Sequence, residues 1–329
     1  MSKQAVAVAH PNIALIKYWG KRDEQLILPV NSSLSMTLDI FPTTTTVTLP
    51  PGLAADQIEL NGQQAEGVAA DRVVAFLELV RGLAGRTEYA RVSSTNTVPT
   101  GAGLASSAAG FAALAAAAAE VYGLELDSRA LSRLARRGSG SASRSVLGGF
   151  VQWNAGEDDE SSYAEAVAWD GLDAAMVVGI IDAGPKAISS REAMSRTVAT
   201  SPFYRGWHQA CDEDLAAMRA AIAAVDLPLV GEIAERNALR MHATMLGAVP
   251  PVRYLTAGTM SVLDLVADLR RQGVGAWATM DAGPNVKVIC AAADAETVAA
   301  AMTASGHVAQ TLAARPGPGV SLTKADTAS

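Results

Sequence analysis

Residues 106–122 read SSAAGFAALAAAAAEVY, with no charge before Glu120. Alanine has the highest helix propensity of any residue, so this stretch forms a helix. A helix that is apolar all round is stable only when buried. Its apolar core, FAALAAAAA, falls short of the about 20 residues that a bilayer span requires. The rest of the chain must therefore cover it, and 329 residues, half of them hydrophobic and 18% charged, suffice for that. At roughly 100–200 residues per domain, the length favours two domains.

Short β-like runs precede the helix: AVAVAH, ALIKYW, SLSMTLD and TTTTVTL. IELNGQQ carries an Asn-Gly pair, a hairpin signal. Residues 69–84 have helical periodicity, with Val73, Phe76, Leu77 and Val80 on one stripe, and YARVSSTNTV is a strand. Beyond the Ala-rich helix, Asp127 caps a short helix that Gly138 terminates. The strand GGFVQW, an acidic solvated loop at 155–163 and the strand AMVVGIIDAG follow. Helices dominate from Ser189 to about Leu246. From Thr259 the order is helix, strand (GAWATM), turn (DAGPN), strand (VKVICAA) and helix, and the tail PGPGVSLTKADTAS is expected to fray. The pattern is α+β, divided near residue 186 into 1–186 and 187–329.

A net charge of −7 argues against nonspecific nucleic-acid binding, though a local basic pocket stays possible. Cys211 and Cys290 have no metal-type spacing and are expected to be reduced and buried. His10, His208, His242 and His307 form no ligand pattern, so they are expected to be structural or surface residues and no tightly bound zinc is expected. MSKQAVAVAHPN lacks the apolar core of a signal peptide, and a cytoplasmic protein without a membrane partner is expected.

Several segments carry chemistry. In PTGAGLASSAAG, Gly101 and Gly103 let backbone N–H groups approach an anion, and Ser106 and Ser107 open the helix at its positive dipole end. An ordinary Gly-rich turn before a helix reads equally well. In GSGSASRS, Ser139 and Ser141 flank Gly140 at a helix start, and Arg144 can grip a carboxylate with two parallel bonds. A Ser-rich cap with a surface arginine is the plainer account. NIALIKYWGK crowds Lys17, Tyr18 and Lys21 together after Asn12; strand alternation alone sends Lys17 to a solvated edge and Tyr18 to the core. KAISSREAM supplies Ser190 and Arg191, with Ser189 or Ser190 as a helix cap. Finally, DAGPNVKV places Asp281 at the exit of an apolar run. A turn explains Gly283, Pro284 and Asn285, but not the acid.

Together PTGAGLASSAA, NIALIKYWGK (12–21), NSSLS (31–35), GSGSASRS (138–145) and DAGPN (281–285) resemble the GHMP superfamily of small-molecule kinases, and more closely its diphosphomevalonate decarboxylase family. Ser143 departs from the cysteine common in bacterial members, at a position where no thiol nucleophile is needed. The resemblance implies a two-domain GHMP-kinase-like fold: an N-terminal mixed sheet with helices, a ferredoxin-like C-terminal α/β layer, and an active site in the cleft between them. It implies ATP-dependent decarboxylation of diphosphomevalonate to isopentenyl diphosphate, with ATP and Mg2+ and a homodimer. Asp281 would be the catalytic acid–base group beside Lys17, with Asn12 and Arg144 at the substrate carboxylate. Tyr18, Lys21, Ser139, Ser141, Ser190 and Arg191 would hold the rest of the substrate. Pro99, Gly101, Ala102, Gly103, Leu104, Ala105, Ser106 and Ser107 would wrap the ATP phosphates, with Ser94 on the nucleotide side; no magnesium ligand can be named. Other readings are a plain kinase of the superfamily, a phosphomevalonate decarboxylase and a silent anion sensor.

Overall fold

A computed structural model of the chain describes residues 3–98, 106–182, 184 and 188–323. Sixteen strands among them form three main sheets and a small ribbon. The first sheet begins with β1 (Lys3–Ala9), β6 (Thr43–Leu49), β7 (Gln57–Leu60), β8 (Gln63–Gln64) and β9 (Arg91–Asn96). In β6 the run TTTTVTL alternates, with Thr43, Thr45, Val47 and Leu49 buried. Asn61 and Gly62 both have positive φ and close the β7–β8 hairpin, as the Asn-Gly pair predicts.

Helices α1 (Gly67–Ala84) and α2 (Ser106–Tyr122) cover this sheet. In α2, Ala108, Ala109, Ala112, Ala113 and Ala115–Ala119 are all buried. The methyl-only surface lets α2 lie close over β1 and β6, which is how an all-apolar helix is satisfied without a membrane. α3 (Ser128–Gly138) is capped by Asp127, which accepts from Ala130 N at 2.7 Å. Gly138 ends α3, but not through a left-handed conformation: an added Cβ would lie 2.0 Å from the Phe111 ring. The glycine is a close-packing requirement. The short α4 (Ala142–Ser145) follows.

The second sheet contains β2 (Asn12–Ile16), β5 (Ser33–Thr37), β10 (Phe150–Trp153) and β11 (Ala164–Val167), in the order β11-β10-β5-β2. β3 (Lys21–Asp23) and β4 (Leu28–Pro29) form the ribbon. The third sheet is antiparallel: β12 (Ala175–Ile180), β13 (Ala276–Met280), β14 (Val286–Cys290) and β15 (Gln310–Ala314), in the order β13-β14-β12-β15. It packs with α7 (Leu227–Leu246), α8 (Ala257–Arg271) and α9 (Ala295–Ala304). α5 (Ser190–Thr200) and α6 (Tyr204–Ala223) complete an α+β, two-domain architecture.

One expectation from sequence fails and another holds only in part. The described part of the tail, as far as Thr323, does not fray: β16 (Ser321–Thr323) pairs with β1, Gly317 N donates to Thr37 O, and Gly149 N donates to Gly317 O. Gly317 and Gly319 fit here because an added Cβ would lie 2.2 and 2.6 Å from backbone atoms. Composition showed the glycines and prolines but not the strand edge that receives them. In the acidic loop at 155–163, Glu157, Asp158 and Glu160 are exposed as expected, but Asp159 is not simply solvated. Asp159 accepts from Arg133 at 2.6 Å and pairs with Arg136, whose side chain is fully buried.

Candidate active site

β2 carries Asn12 at its start and ends at Ile16, just before Lys17. Its pairing with β5 shifts register between Ala14 and Ile16. Simple alternation therefore stops applying, and Lys17 and Tyr18 line the same cavity instead of facing opposite ways. That cavity is about 350 Å³ and is also lined by Asn12, Lys21, Ser139, Ser141, Arg144, Ser190, Arg191 and Asp281. All the sequence-predicted catalytic and substrate residues thus meet in one place.

At one end lies Asp281, just beyond β13. Gly283 N donates to Asp281 O at 2.8 Å, and Asn285 accepts from Ile181 N and Asp182 N at 2.8 and 3.0 Å. The turn is thereby tied to the end of β12. Lys17 Nζ donates to Asp281 Oδ1 at 2.8 Å and to Ala14 O at 2.7 Å. Lys287 Nζ stands 3.4 Å from Asp281 Oδ2. Burial alone would push the Asp281 carboxyl up, but Lys17 and Lys287 outweigh it and hold the acid well below the usual carboxylate range. Burial lowers the Lys17 ammonium from its ordinary value, with Asp281 opposing. His242, on α7, is buried behind this pair; burial first, then Lys17, brings it down to about 4, so it is neutral near pH 7.

Arg144 forms the floor. Its Nε donates to Ser35 Oγ at 3.0 Å and Asn12 Oδ1 at 3.3 Å, and its Nη1 to Ser33 Oγ at 2.5 Å. Asn12 Nδ2 donates in turn to Ser145 Oγ at 2.8 Å and Ser141 O at 3.0 Å. The guanidinium is 2% exposed, and burial brings it down to about 10, against the pull of Asp281 and Tyr18. Its Nη2 has no hydrogen-bond partner among the described residues. The arrangement can present a fixed fork to a carboxylate.

At the far end, Lys21 Nζ donates to Glu24 Oε2 at 2.5 Å. The buried Tyr18 hydroxyl has no hydrogen-bond partner among the described residues, and burial holds it far above the usual phenol range. Ser139 Oγ lies 3.4 Å from Ser107 Oγ and 3.5 Å from Ser141 Oγ. Ser189 is the cap of α5, accepting from Glu192 N, which leaves Ser190 on the cavity wall beside the exposed Arg191.

A second cavity of about 280 Å³ lies between the first sheet and the α1–α2 pair. Ser94, Asn61, Asn96, Thr45, Phe111 and Leu114 help line it. Ser107 and Arg72 line both cavities, so the two adjoin. Ser94 Oγ shares a 2.8 Å hydrogen bond with Thr45 Oγ1. Of the phosphate-loop residues, Pro99, Gly101, Ala102, Gly103, Leu104 and Ala105 lie outside the described residues, as does the Ser106 side chain. Apolar walls with a few amide and hydroxyl groups suit a nucleotide base. No group of three or more His, Cys, Asp or Glu residues that could hold a metal ion occurs among the described residues.

Sequence reasoning missed Arg72, Lys287 and Asn237, read His242 only as a structural or surface residue, and assigned no role to Ser33 or Ser35. Asn237 accepts from Lys17 N at 2.9 Å across 220 residues of chain, with its own amide held by Asp214 at 2.9 Å. Strand alternation was the one available signal for Lys287, a lysine inside the apolar run VKVIC. The others carried none.

Residues 9–164 match the family of diphosphomevalonate decarboxylase-like N-terminal domains, and residues 176–316 match the mevalonate 5-diphosphate decarboxylase C-terminal domain. The chain is 40% identical to diphosphomevalonate decarboxylase mvd1 of Aspergillus fumigatus, over 92% of this chain and 80% of that protein. Its fold is similar to the mevalonate diphosphate decarboxylase of Staphylococcus aureus, with a TM-score of 0.95, 43% identity and coverage of 98% and 99% of the two chains. It is equally similar to a solved complex of the protein designated MDDEF with MVAPP, AMPPCP and magnesium, at TM-score 0.94 and 48% identity, covering 99% and 100%. On matches that run through both halves, the chain belongs to the diphosphomevalonate decarboxylase family.

Proposed function

We propose that this protein converts (R)-5-diphosphomevalonate to isopentenyl diphosphate in the mevalonate pathway, consuming ATP and releasing ADP, phosphate and carbon dioxide. One observation carries the reading: Asp281, fixed between two lysines, faces the same cavity as the Arg144 fork and the Tyr18, Lys21 and Arg191 group. Family relatives with this activity support it.

Asp281 faces the substrate's 3-hydroxyl and takes its proton as that oxygen bonds to the γ-phosphoryl group. A carboxylate held so firmly ionised is a weak base, so it acts by orienting the O–H and receiving the proton late. Phosphoryl transfer through a loose transition state asks for little more. Lys17 keeps the acid charged and in place. The C–O bond to the new phosphate then breaks, and the electron pair of the carboxylate-bearing bond forms the alkene as carbon dioxide leaves. Arg144 and Asn12 hold that carboxylate in line, supported by Ser33 and Ser35. Tyr18, Lys21, Ser139, Ser141, Ser190 and Arg191 grip the diphosphate, and Arg72, between the cavities, faces the phosphates of both substrates. Ser94 and Ser107 belong to the nucleotide, together with the loop at 99–106. When bound, magnesium supplies charge neutralisation at the transferring phosphoryl group.

The halves 1–186 and 187–329 are read as the two functional domains, with β12 and β16 each joining the other half's sheet. The protein is further read as a cytoplasmic homodimer. Phe203, Leu246 and Val249 are exposed near one another and offer an apolar patch for a second copy. Cys211 and Cys290 are both buried and free, which suits a reducing compartment. The test follows product, ADP and carbon dioxide together with diphosphomevalonate and ATP. Equal release of ADP and carbon dioxide is expected. ADP without carbon dioxide means a plain kinase, and a preference for the monophosphate means a phosphomevalonate decarboxylase.

A further inference from the structure

The Asp281 carboxylate has two oxygens, and a separate lysine stands at each. Lys17 Nζ is 2.8 Å from Oδ1 and Lys287 Nζ is 3.4 Å from Oδ2. Lys17 follows β2 in the second sheet, whereas Lys287 lies on β14 in the third, opposite Thr279 of β13. The two ammonium groups therefore reach the acid from different sheets. Lys287 is 1% exposed, so it is no solvated surface lysine. A buried ammonium is costly unless it serves an opposite charge.

We propose that Lys287 is a positioning residue for proton transfer, holding Oδ2 of Asp281 while Lys17 holds Oδ1, so that the carboxylate keeps one orientation toward the substrate hydroxyl. The inference rests on the reading of Asp281 as the proton acceptor. The terminal torsion of an aspartate is broad. One ammonium restrains one oxygen and leaves the group free to turn; a second, on the other oxygen, removes that freedom. Reaction rates depend steeply on such alignment. The charged and titratable groups facing Asp281 are Lys17 beyond β2, Lys287 on β14, Arg144 on α4 and His242 on α7. His242 is neutral near pH 7, so Lys287 is one of three cations acting on the acid. Its removal leaves Asp281 easier to protonate.

The test is Lys287→Met, which keeps chain length and removes the charge. Turnover of diphosphomevalonate and ATP is measured against pH, with thermal unfolding and binding of an ATP analogue alongside. The expected result is a kcat lower by about tenfold, KM values within about twofold, and an acid limb of the kcat profile displaced to higher pH. If the Met variant fails to fold, Lys287→Gln replaces it, with the acid limb again the readout. Wild-type kcat with an unmoved acid limb overturns the proposal. A lower kcat with the wild-type acid limb also overturns it, because lost packing alone does not change the charges that Asp281 feels. Asp281→Asn is run beside these variants: normal turnover there would refute the proton-acceptor reading itself, separately from the role of Lys287.

Discussion

The two ends of the cavity handle charge differently. Around Asp281 every charge has a fixed partner: Lys17 and Lys287 share one carboxylate, and His242 behind them is neutral. At the other end, Arg191 is exposed and forms no ion pair among the described residues. Lys21 pairs there with Glu24, whose side chain is 65% exposed, and Arg72 donates to the Gly138 carbonyl. The first arrangement is preorganised, which favours a chemical step. The second keeps cations available to a polyanion, which favours binding and lets an acidic protein hold two highly charged substrates.

The contrast breaks most sharply at Asp281. Asp281→Asn is expected to lower kcat by about a thousandfold while leaving ATP-analogue binding within about twofold. A large loss of binding instead would mean that this end is not specialised for chemistry. Next comes His242. Because its folded value is about 4 rather than 6.5, the unfolded chain binds a proton between those values and the folded chain does not. Stability is therefore lost as pH falls from about 6.5 to about 4, by about 3 kcal/mol at roughly 1.4 kcal/mol per unit. His242→Gln should flatten the thermal-unfolding midpoint between pH 7 and pH 5, and an unchanged slope would remove the histidine from that account. Arg144→Lys retains charge but not the fork, and kcat/KM should fall about a hundredfold.

At the binding end the effects shrink. Arg191→Gln should raise the KM for the diphosphate substrate by about tenfold with kcat preserved, and a fall in kcat alone would blur the distinction between the ends. Smallest is Glu24→Gln. An exposed ion pair contributes about 0–1 kcal/mol, so releasing Lys21 should lower that KM by about two- to threefold; a raised KM would show that Glu24 assists the lysine instead of competing for it.

Much of this was legible because local physics carried it. Asn61-Gly62 forces its hairpin, Asp127 caps α3, and alternation in TTTTVTL marks β6. Motif resemblance led to Asn12, Lys17, Arg144 and Asp281, which share one cavity. The tail as far as Thr323 was misread because fraying was expected of a chain terminus, whereas its glycines allow contact with Leu38 and Val146 backbone. Lys17 and Tyr18 were assigned opposite faces because a register shift between Ala14 and Ile16 leaves no mark in the residue types.

By itself the sequence determined which segments become helix or strand, and which short runs can bind anions, since those properties depend on neighbours a few residues apart. Only the tertiary structure decided that Lys287, His242 and Asn237 stand around Asp281 and Lys17. Lys287 comes from β14, and Asn237 and His242 from α7; the electrostatic effect of a charge depends on distance in space and on surrounding water, neither of which is written in the spacing along the chain.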